Sequence, residues 1–582
     1  MADLHGITSF EDETDPPGTF KLIRGLTSFI PWAGLLLTSH LLPDREADEH
    51  RQRIVVLDPI PSSDPNEPLN WSKMRKSVNF AIILAMTIII FTAINIQPLF
   101  WQQMTPEMEV TYIELNNAMS VNYVGLATGC IFFIPFSKKY GRRPVYIVST
   151  ALMFATSFWS SKMNSLTELY VTNLLQGLAG ATNESIVQIT VSYIFGPIIR
   201  CPANVVHIVD LFFVHHRGRM NGLYLTCVMI GSFLTPLAAG AQATQHTWRS
   251  SYQTMGIFNG ILFVIFLFLY EETKYVPAFQ GQAGVTLEED DPTISIREDG
   301  LDKLEDSASA AKGLSTIELA RSNHVLDLTI PQNSWRKQLA LVTPTPEPIL
   351  PHFYGPFCVL IFPAVAFAAL QYAAGVAWLT ATSSVLSLTF PEPPYLFSPA
   401  QMGYTNAGPL IGNILGAVYG GFLGDRSILY YAKRNKGYYE PEMRLYILHL
   451  PAVFMAGGLI MFGATISREM HWTWPILAGG FFGFGLGSIS DAALVLVMDS
   501  YREITGDAFT AVAFMRNAVS IGIPFAISPW IQRNGIQNMF IACGMMSLAV
   551  AATIIPMVIW GKSARRALTG RYRSIVERGH AV

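Results

Sequence analysis

Twelve apolar stretches, each about long enough to cross a bilayer, dominate this 582-residue chain. They lie at about 77–100, 115–136, 144–162, 169–194, 221–242 and 254–270, then at about 354–389, 401–424, 445–466, 474–498, 508–530 and 537–560. Hydrocarbon offers no partner to a bare peptide group, so each stretch has to close its own hydrogen bonds as a helix. A polar, acidic segment divides the set into two blocks of six, the arrangement of membrane folds built from repeated halves. The expected fold is an all-α membrane protein, with twelve transmembrane helices in two pseudo-symmetric six-helix bundles. Its parts are a cytosolic N-terminal segment at 1–76, bundles at 77–271 and 354–560, a cytosolic linker at 272–353 and a cytosolic tail at 561–582. A further apolar run at 26–42 is short and contains Pro31, and reads as interfacial.

Basic residues set the expected orientation. The loops after even-numbered stretches, and both ends, carry Lys73, Arg75, Lys76, Lys138, Lys139, Arg142, Arg143, Arg217, Arg219, Arg426, Lys433, Arg434, Lys436 and a KSARR run. The other loops carry single residues at most, such as Lys162, Arg249, Arg468 and Arg533. Positive charge marks the cytosolic side, which places both termini and the linker there.

Only 14% of residues are charged, against about 25% in a soluble chain, and the net charge of −3 argues against a nucleic-acid partner. Cys130, Cys201, Cys227, Cys358 and Cys543 are scattered without ligand spacing, so no metal is expected. The sequence has no G-x-x-x-x-G-K-[ST] phosphate loop, no H-E-x-x-H and no nucleophile elbow. Neither an ATP-driven pump nor an enzyme is indicated, and no cofactor is implied. The opening residues lack a basic flank and an apolar core, so a cleaved signal peptide is not expected.

The fourth stretch, LYVTNLLQGLAGATNESIVQITVSYI, holds Glu184 about 15 Å of helix from its nearer end. A carboxylate at that depth is expensive in hydrocarbon and marks a functional site by default. Withdrawn from water, such a group can take up and release a proton near neutral pH. Glu184 therefore reads as a coupling or substrate-charge site, with a static ion pair as the rival. Gly177, Gly180 and Ala181 on the same stretch would let a neighbouring helix approach closely. Other polar residues inside apolar blocks are Asn95 and Gln97, Asn183 and Gln188, Gln371, Tyr372 and Trp378, and Asp491. Each amide would serve either interhelical bonding or substrate contact. Asp499, Arg502, Arg516 and Asn517, placed near the cytosolic ends of the tenth and eleventh stretches, read as a gate or a structural ion pair. Glu442 and Arg444 read as structural.

The loop after the second stretch, FSKKYGRRPVY, resembles the G-x-x-x-D-R-x-G-R-R signature of the major facilitator superfamily through Gly141, Arg142 and Arg143. Lys138 stands where that family has an acid, which caps a neighbouring helix and latches the two halves. The matching loop of the second half, GGFLGDRS, keeps Gly424, Asp425 and Arg426. In the fifth stretch Gly231, Pro236 and Gly240 resemble the antiporter signature of twelve-span drug:proton antiporters, with Thr235 and Ala239 replacing two of its glycines. A proline kink among small residues lets a bent helix pack closely. LLQGLAGA is similar to the signature R-x-x-Q-G, with Asn173 at the Arg position, which puts the family's coupling route in doubt.

More specific are DPNEPLNWSKMRK, TNESIVQIT, DLFFVHHRGRMNGLY, YEETKY, RNKGYYEPEMRL and DSYREITGDAF. They resemble a fungal branch of drug:proton antiporter-like transporters, including polyamine and toxin exporters, across about 58–560. The resemblance implies a monomer in a lipid bilayer, with the first, fourth, seventh and tenth helices lining a central cavity. It implies proton-driven efflux of a small organic compound, a toxin, drug or secondary metabolite, by alternating access. The plasma membrane is the expected location, the vacuolar membrane the alternative. Two other functions compete: transport of an organic cation such as a polyamine, with Glu184 and Asp491 as counter-charges, and a non-transporting nutrient sensor.

One segment breaks the pattern. VSYIFGPIIRCPANVVHI at 191–208 contains Pro197, Arg200, Pro202 and His207, and its removal would join SIVQIT to VDLFFVHHRGRMNG as one helix. Val191-Ser192 can be encoded by an intron donor sequence and Ala203-Asn204 by a branch point. The segment is either a retained intron or a genuine re-entrant or cytosolic excursion.

Overall fold

The structure is a computed structural model that describes residues 16–21, 56–58, 66, 68–195, 198–200, 223–224, 226–274, 334–344, 349–501 and 503–580. The run at 26–42, most of the linker, most of 191–208, and Arg217, Arg219 and Arg502 lie outside the described residues.

In chain order come β1 (Phe20–Lys21), β2 (Val56–Asp58), α1 (Lys73–Asn95), α2 (Trp101–Met108), α3 (Tyr112–Tyr140), α4 (Arg142–Ser160), α5 (Leu166–Phe195) and β3 (Ile198–Arg200). Then follow α6 (Thr226–Gln245), α7 (Trp248–Phe268), α8 (Leu350–Val359), α9 (Pro363–Thr389) and α10 (Pro399–Arg434). Strand β4 (Tyr438–Tyr439), α11 (His449–Ser467), α12 (Thr473–Ser500), α13 (Thr505–Ala552) and α14 (Ile554–His580) complete the chain. Among the described residues the fold is helical apart from two short antiparallel pairings, β1 with β4 and β2 with β3. Among the described residues, nine helices are long and apolar enough to cross a membrane. Helices α4 and α5, at 19 and 30 residues, are not among the nine and carry more polar residues.

Local chemistry explains where the helices start and stop. Helix α3 opens on a reciprocal capping box between Thr111 and Glu114. It closes at Gly141, whose φ of 109° is open to glycine and strained for other residues. The stretch at 354–389 is split, because Phe362 precedes Pro363 and is pushed to ψ 125°, out of the helical region. The last two stretches meet within α13, where Gly535 (φ 74°, ψ 162°) lies outside the helical region and separates two helices, so this break falls between the two expected stretches. One expectation changes here. The second signature is not in a loop: α10 runs through Gly424, Asp425 and Arg426 after a wide turn at Tyr419–Leu423. Helix α14 covers most of the segment after 560.

Small residues let helices meet backbone to backbone. A side chain at Gly177 of α5 would collide with the Asn122 carbonyl of α3, and one at Gly412 of α10 with Gly480 of α12. On the outside of α10, Ile411, Leu415, Val418 and Phe422 form an exposed apolar stripe at helical spacing, a face suited to lipid. The buried side chains form two clusters, one built on α1 and α3–α7, the other on α9 and α11–α14 together with α2 and residues of α3, α5, α6, α7, α8 and α10. Helix α13 packs against α3, α5, α9 and α11, and its Ala513 belongs to the first cluster. With α3, α5, α6 and α7, it is one of the helices that contribute to both clusters.

Basic loops gather at one end of the helices, and there the N-terminal residues are tied down. The buried Arg565 of α14 donates to both carboxylate oxygens of Glu442, at 2.8 and 2.7 Å. It also donates to the Pro17 carbonyl and to Thr19 Oγ1, while β1 pairs with β4 beside it.

Candidate functional site

Helix α5 carries Glu184 into the contact between the clusters, and α13 carries Arg516 and Asn517 to meet it. The Arg516 guanidinium forms a salt bridge with Glu184 Oε1, and both side chains are more than nine-tenths buried. Asn517 Nδ2 donates to Glu184 Oε2 at 2.8 Å. Arg516 Nε and Nη2 donate to Asn517 Oδ1 at 3.2 and 3.1 Å, and its Cζ lies 5.2 Å from the Tyr372 ring centroid. Desolvating two ions costs several kcal/mol each unless good geometry and further hydrogen bonds offset it. Here both carboxylate oxygens are engaged, and the guanidinium has an ionic, an amide and an aromatic partner. Beside the pair lies a cavity of about 20 Å³ that Phe91, Tyr224, Leu494 and Phe509 help to line. That is room for one water molecule, so the site is closed in this conformation. The pair is an ionic contact between α5 and α13.

Arg516 is not near a helix end, as the sequence suggested. Helix α13 starts at Thr505, three turns earlier, which sets Arg516 at the depth of Glu184. Asn183 ties α5 to α1 by accepting from Thr87 Oγ1 at 3.1 Å, and its carbonyl accepts from Tyr224. Asn95 donates to Phe91 O on its own helix, and Gln97 lies beyond α1 in a 3-10 turn. Gln371 faces the other way, donating to Val550 O and Thr553 Oγ1 at 2.8 and 3.0 Å. Trp378 is buried, and among the described residues its indole N–H has no partner. Asp491 is half-buried on α12, one turn before Leu494, and does not line the cavity. Asp499 accepts from Tyr439 OH at 2.6 Å and lies 3.9 Å from Arg444. The side chains of Gln188 and Asp425 lie outside the described residues, and Arg426 stacks on Phe422.

At the first signature the acid comes from elsewhere. Glu272, just beyond α7, accepts from the backbone N–H groups of Arg142 and Arg143 at 3.0 and 3.1 Å, and so caps α4. Arg143 in turn donates to the carbonyls of Leu267 and Leu339. Lys138 forms a salt bridge with Asp507 in the first turn of α13. The charge pattern of the latch is thus reversed, with the base on α3 and the acid where a helix N-terminus favours it. In the kinked helix, Gly231 sits against Ile88 of α1, Pro236 follows a wide turn at Ile230–Leu234, and Gly240 sits against Pro399 of α10.

Sequence reasoning named Glu184 and Arg516 but did not pair them, and it missed Tyr224 and the roles of Glu272 and Asp507. A usable signal existed for the pair: one acid and one base buried deep in different apolar stretches. The sequence pattern of the Major Facilitator Superfamily matches residues 81–524. The chain belongs to that superfamily. This superfamily member is a multi-pass membrane transporter of small molecules, not an enzyme. It is 29% identical to an uncharacterized MFS-type transporter of Schizosaccharomyces pombe over 89% of each chain. It is 24% identical to a multidrug transporter of Candida glabrata, over 87% of this chain and 78% of that one. Its fold is similar to a crystal structure of a peptide transporter in complex with alafosfalin, with a TM-score of 0.52 at 14% identity. That match covers 84% of this chain and 97% of the other.

Proposed function

We propose that this protein exports small organic compounds, a toxin, drug or secondary metabolite, in exchange for protons, and that Glu184 is the coupling group. The observation that carries the reading is the buried Glu184–Arg516 salt bridge, held between α5 and α13 beside a cavity too small for a substrate. In this reading twelve helices form two six-helix halves, and the pair joins them while the passage is closed. A proton arriving on Glu184 neutralises the pair, α13 separates from α5, and the balance between the two facing states shifts. Substrate occupies the space so opened, and loss of the proton re-forms the pair.

The gathering of Lys138, Arg142, Arg143, Lys274 and Arg565 at one end supports placing that end, both termini and the linker in the cytosol. The plasma membrane and a monomeric state follow from the same reading. A relative named as a multidrug transporter supports the efflux class. The competing organic-cation reading needs Glu184 as a free counter-charge, and Arg516 already neutralises it. The test is pH-gradient-driven uptake into inside-out vesicles, with substrates found by growth on a panel of toxic compounds. Glu184→Gln should abolish the gradient-dependent part. Unchanged gradient-driven uptake would refute the coupling role.

A further inference from the structure

Helix α3 shows one face to the C-terminal helices. Asn116, Ser120, Tyr123, Ala127 and Cys130 recur at alternating spacings of four and three, so they form a single stripe. Contacts show where the stripe points. Tyr123 OH lies 2.7 Å from Thr380 Oγ1 of α9, and Cys130 Sγ lies 3.9 Å from Asn517 Nδ2 of α13. Beside it, Met119 Sδ lies 4.0 Å from Ser384 Oγ, one turn from Thr380. The stripe therefore runs along the junction from the Glu184–Arg516 level towards the end that lacks basic loops.

Its two ends differ. At Cys130 the polar groups are paired. Beyond Tyr123, Asn116 and Ser120 are wholly buried, and neither the amide atoms of Asn116 nor the Ser120 hydroxyl has a partner among the described residues. Gln97 Nε2, in the turn that packs against α9, is likewise unpaired. Buried polar groups are rarely left so, because each forfeits its bonds to water. Three of them lie at one end of one junction. Towards the cavity from these groups, the Tyr123 hydroxyl is hydrogen-bonded across the junction to Thr380. Tyr123 is also within electrostatic reach of both Arg516 and Glu184.

We propose that the Tyr123–Thr380 hydrogen bond is the outward gate of the Glu184–Arg516 site, and that Asn116 and Ser120 form the polar vestibule beyond it. When the gate opens, water or an uncharged polar group of a passing substrate takes up the bonds these side chains lack. This rests on the transport reading above and adds to it a named closure, on a helix outside the four expected to line the cavity.

The test is thiol labelling at Ser120→Cys, in a chain whose five native cysteines are changed to Ser, expressed in intact cells. The probe is a membrane-impermeant cationic methanethiosulfonate added outside. Adding Tyr123→Phe or Thr380→Val removes the hydrogen bond and should speed labelling about tenfold, the worth of one such bond. Thr380→Ser keeps the hydroxyl and should label at the parent rate. Surface amount by antibody, and total thiol after denaturation, confirm that each variant is folded and present. Equal labelling rates in all four chains would overturn the gate and leave the outward passage, and with it the transport reading, in place. No labelling from outside in any chain would overturn both.

Discussion

Removing one charge of the Glu184–Arg516 pair should damage the fold far more than removing both. Unit charges about 4 Å apart attract by about 4 kcal/mol at an effective dielectric of about 20. Stranding one member of a buried pair costs about 3–5 kcal/mol, against a total stability of about 5–15 kcal/mol. Arg516→Gln leaves a carboxylate held by Asn517 alone, at 2.8 Å, and should lose about 3–5 kcal/mol. Glu184→Gln leaves a guanidinium facing Tyr372 and Asn517 Oδ1, which soften the loss. The double variant keeps Asn517 bonded to an amide and strands no ion, so it should unfold within about 1 kcal/mol of the parent. The assay is unfolding of the detergent-purified protein, beside gradient-driven uptake. Losses that add, single to single, would refute the pairing, and proton-driven uptake by the double variant would refute the coupling role.

The reversed latch predicts that Lys138→Glu, which faces Asp507 with a second acid, slows transport severalfold. Exchanging the charges, Lys138→Asp with Asp507→Lys, should restore it only in part, because a cation then sits at the N-terminus of α13. Glu272→Ala frees two backbone donors at the start of α4 and should lower stability by about 0.5–2 kcal/mol, seen as an earlier unfolding midpoint. Arg565→Ala strands the buried Glu442 and frees the Pro17 carbonyl, and should cost about 3–5 kcal/mol, with protease sensitivity appearing near residues 16–21. At the other end of the helices, partial burial raises the Glu107 pKa, but hydrogen bonds from Arg249 and Trp248 outweigh it and hold the group below its usual value. A carboxylate so depressed stabilises the fold above the ordinary carboxylate range and loses that contribution as pH falls through its folded value. The stability gap between Glu107→Gln and the parent should therefore close on acidification, and a gap constant with pH would refute this.

The helical, multi-pass character was legible because it rests on a one-dimensional property. Apolar length and the absence of charge decide where a helix can cross, and backbone chemistry at Phe362-Pro363 and Gly535 then sets the breaks. What was not legible is that the single 354–389 run divides at a proline, whereas the break at Gly535 falls between the two runs that were expected to be separate.

The site divides along the same physical line. Glu184 announced itself, since a lone carboxylate at mid-span is costly wherever the helix lands. Its partner did not, because the depth of Arg516 depends on where α13 begins, and that start, at Thr505, is only three residues from the estimate of 508. Those three residues add about 4.5 Å of helix, enough to bring Arg516 from the approach to a gate into the plane of the carboxylate. The same reasoning explains Lys138. Alone in the sequence it reads as the loss of an acid; in the structure it pairs with Asp507, and a different acid, Glu272, caps α4. A signature residue carries a role only through the partner it meets, so substitution at one position implies loss of function only when no compensating charge stands across the contact.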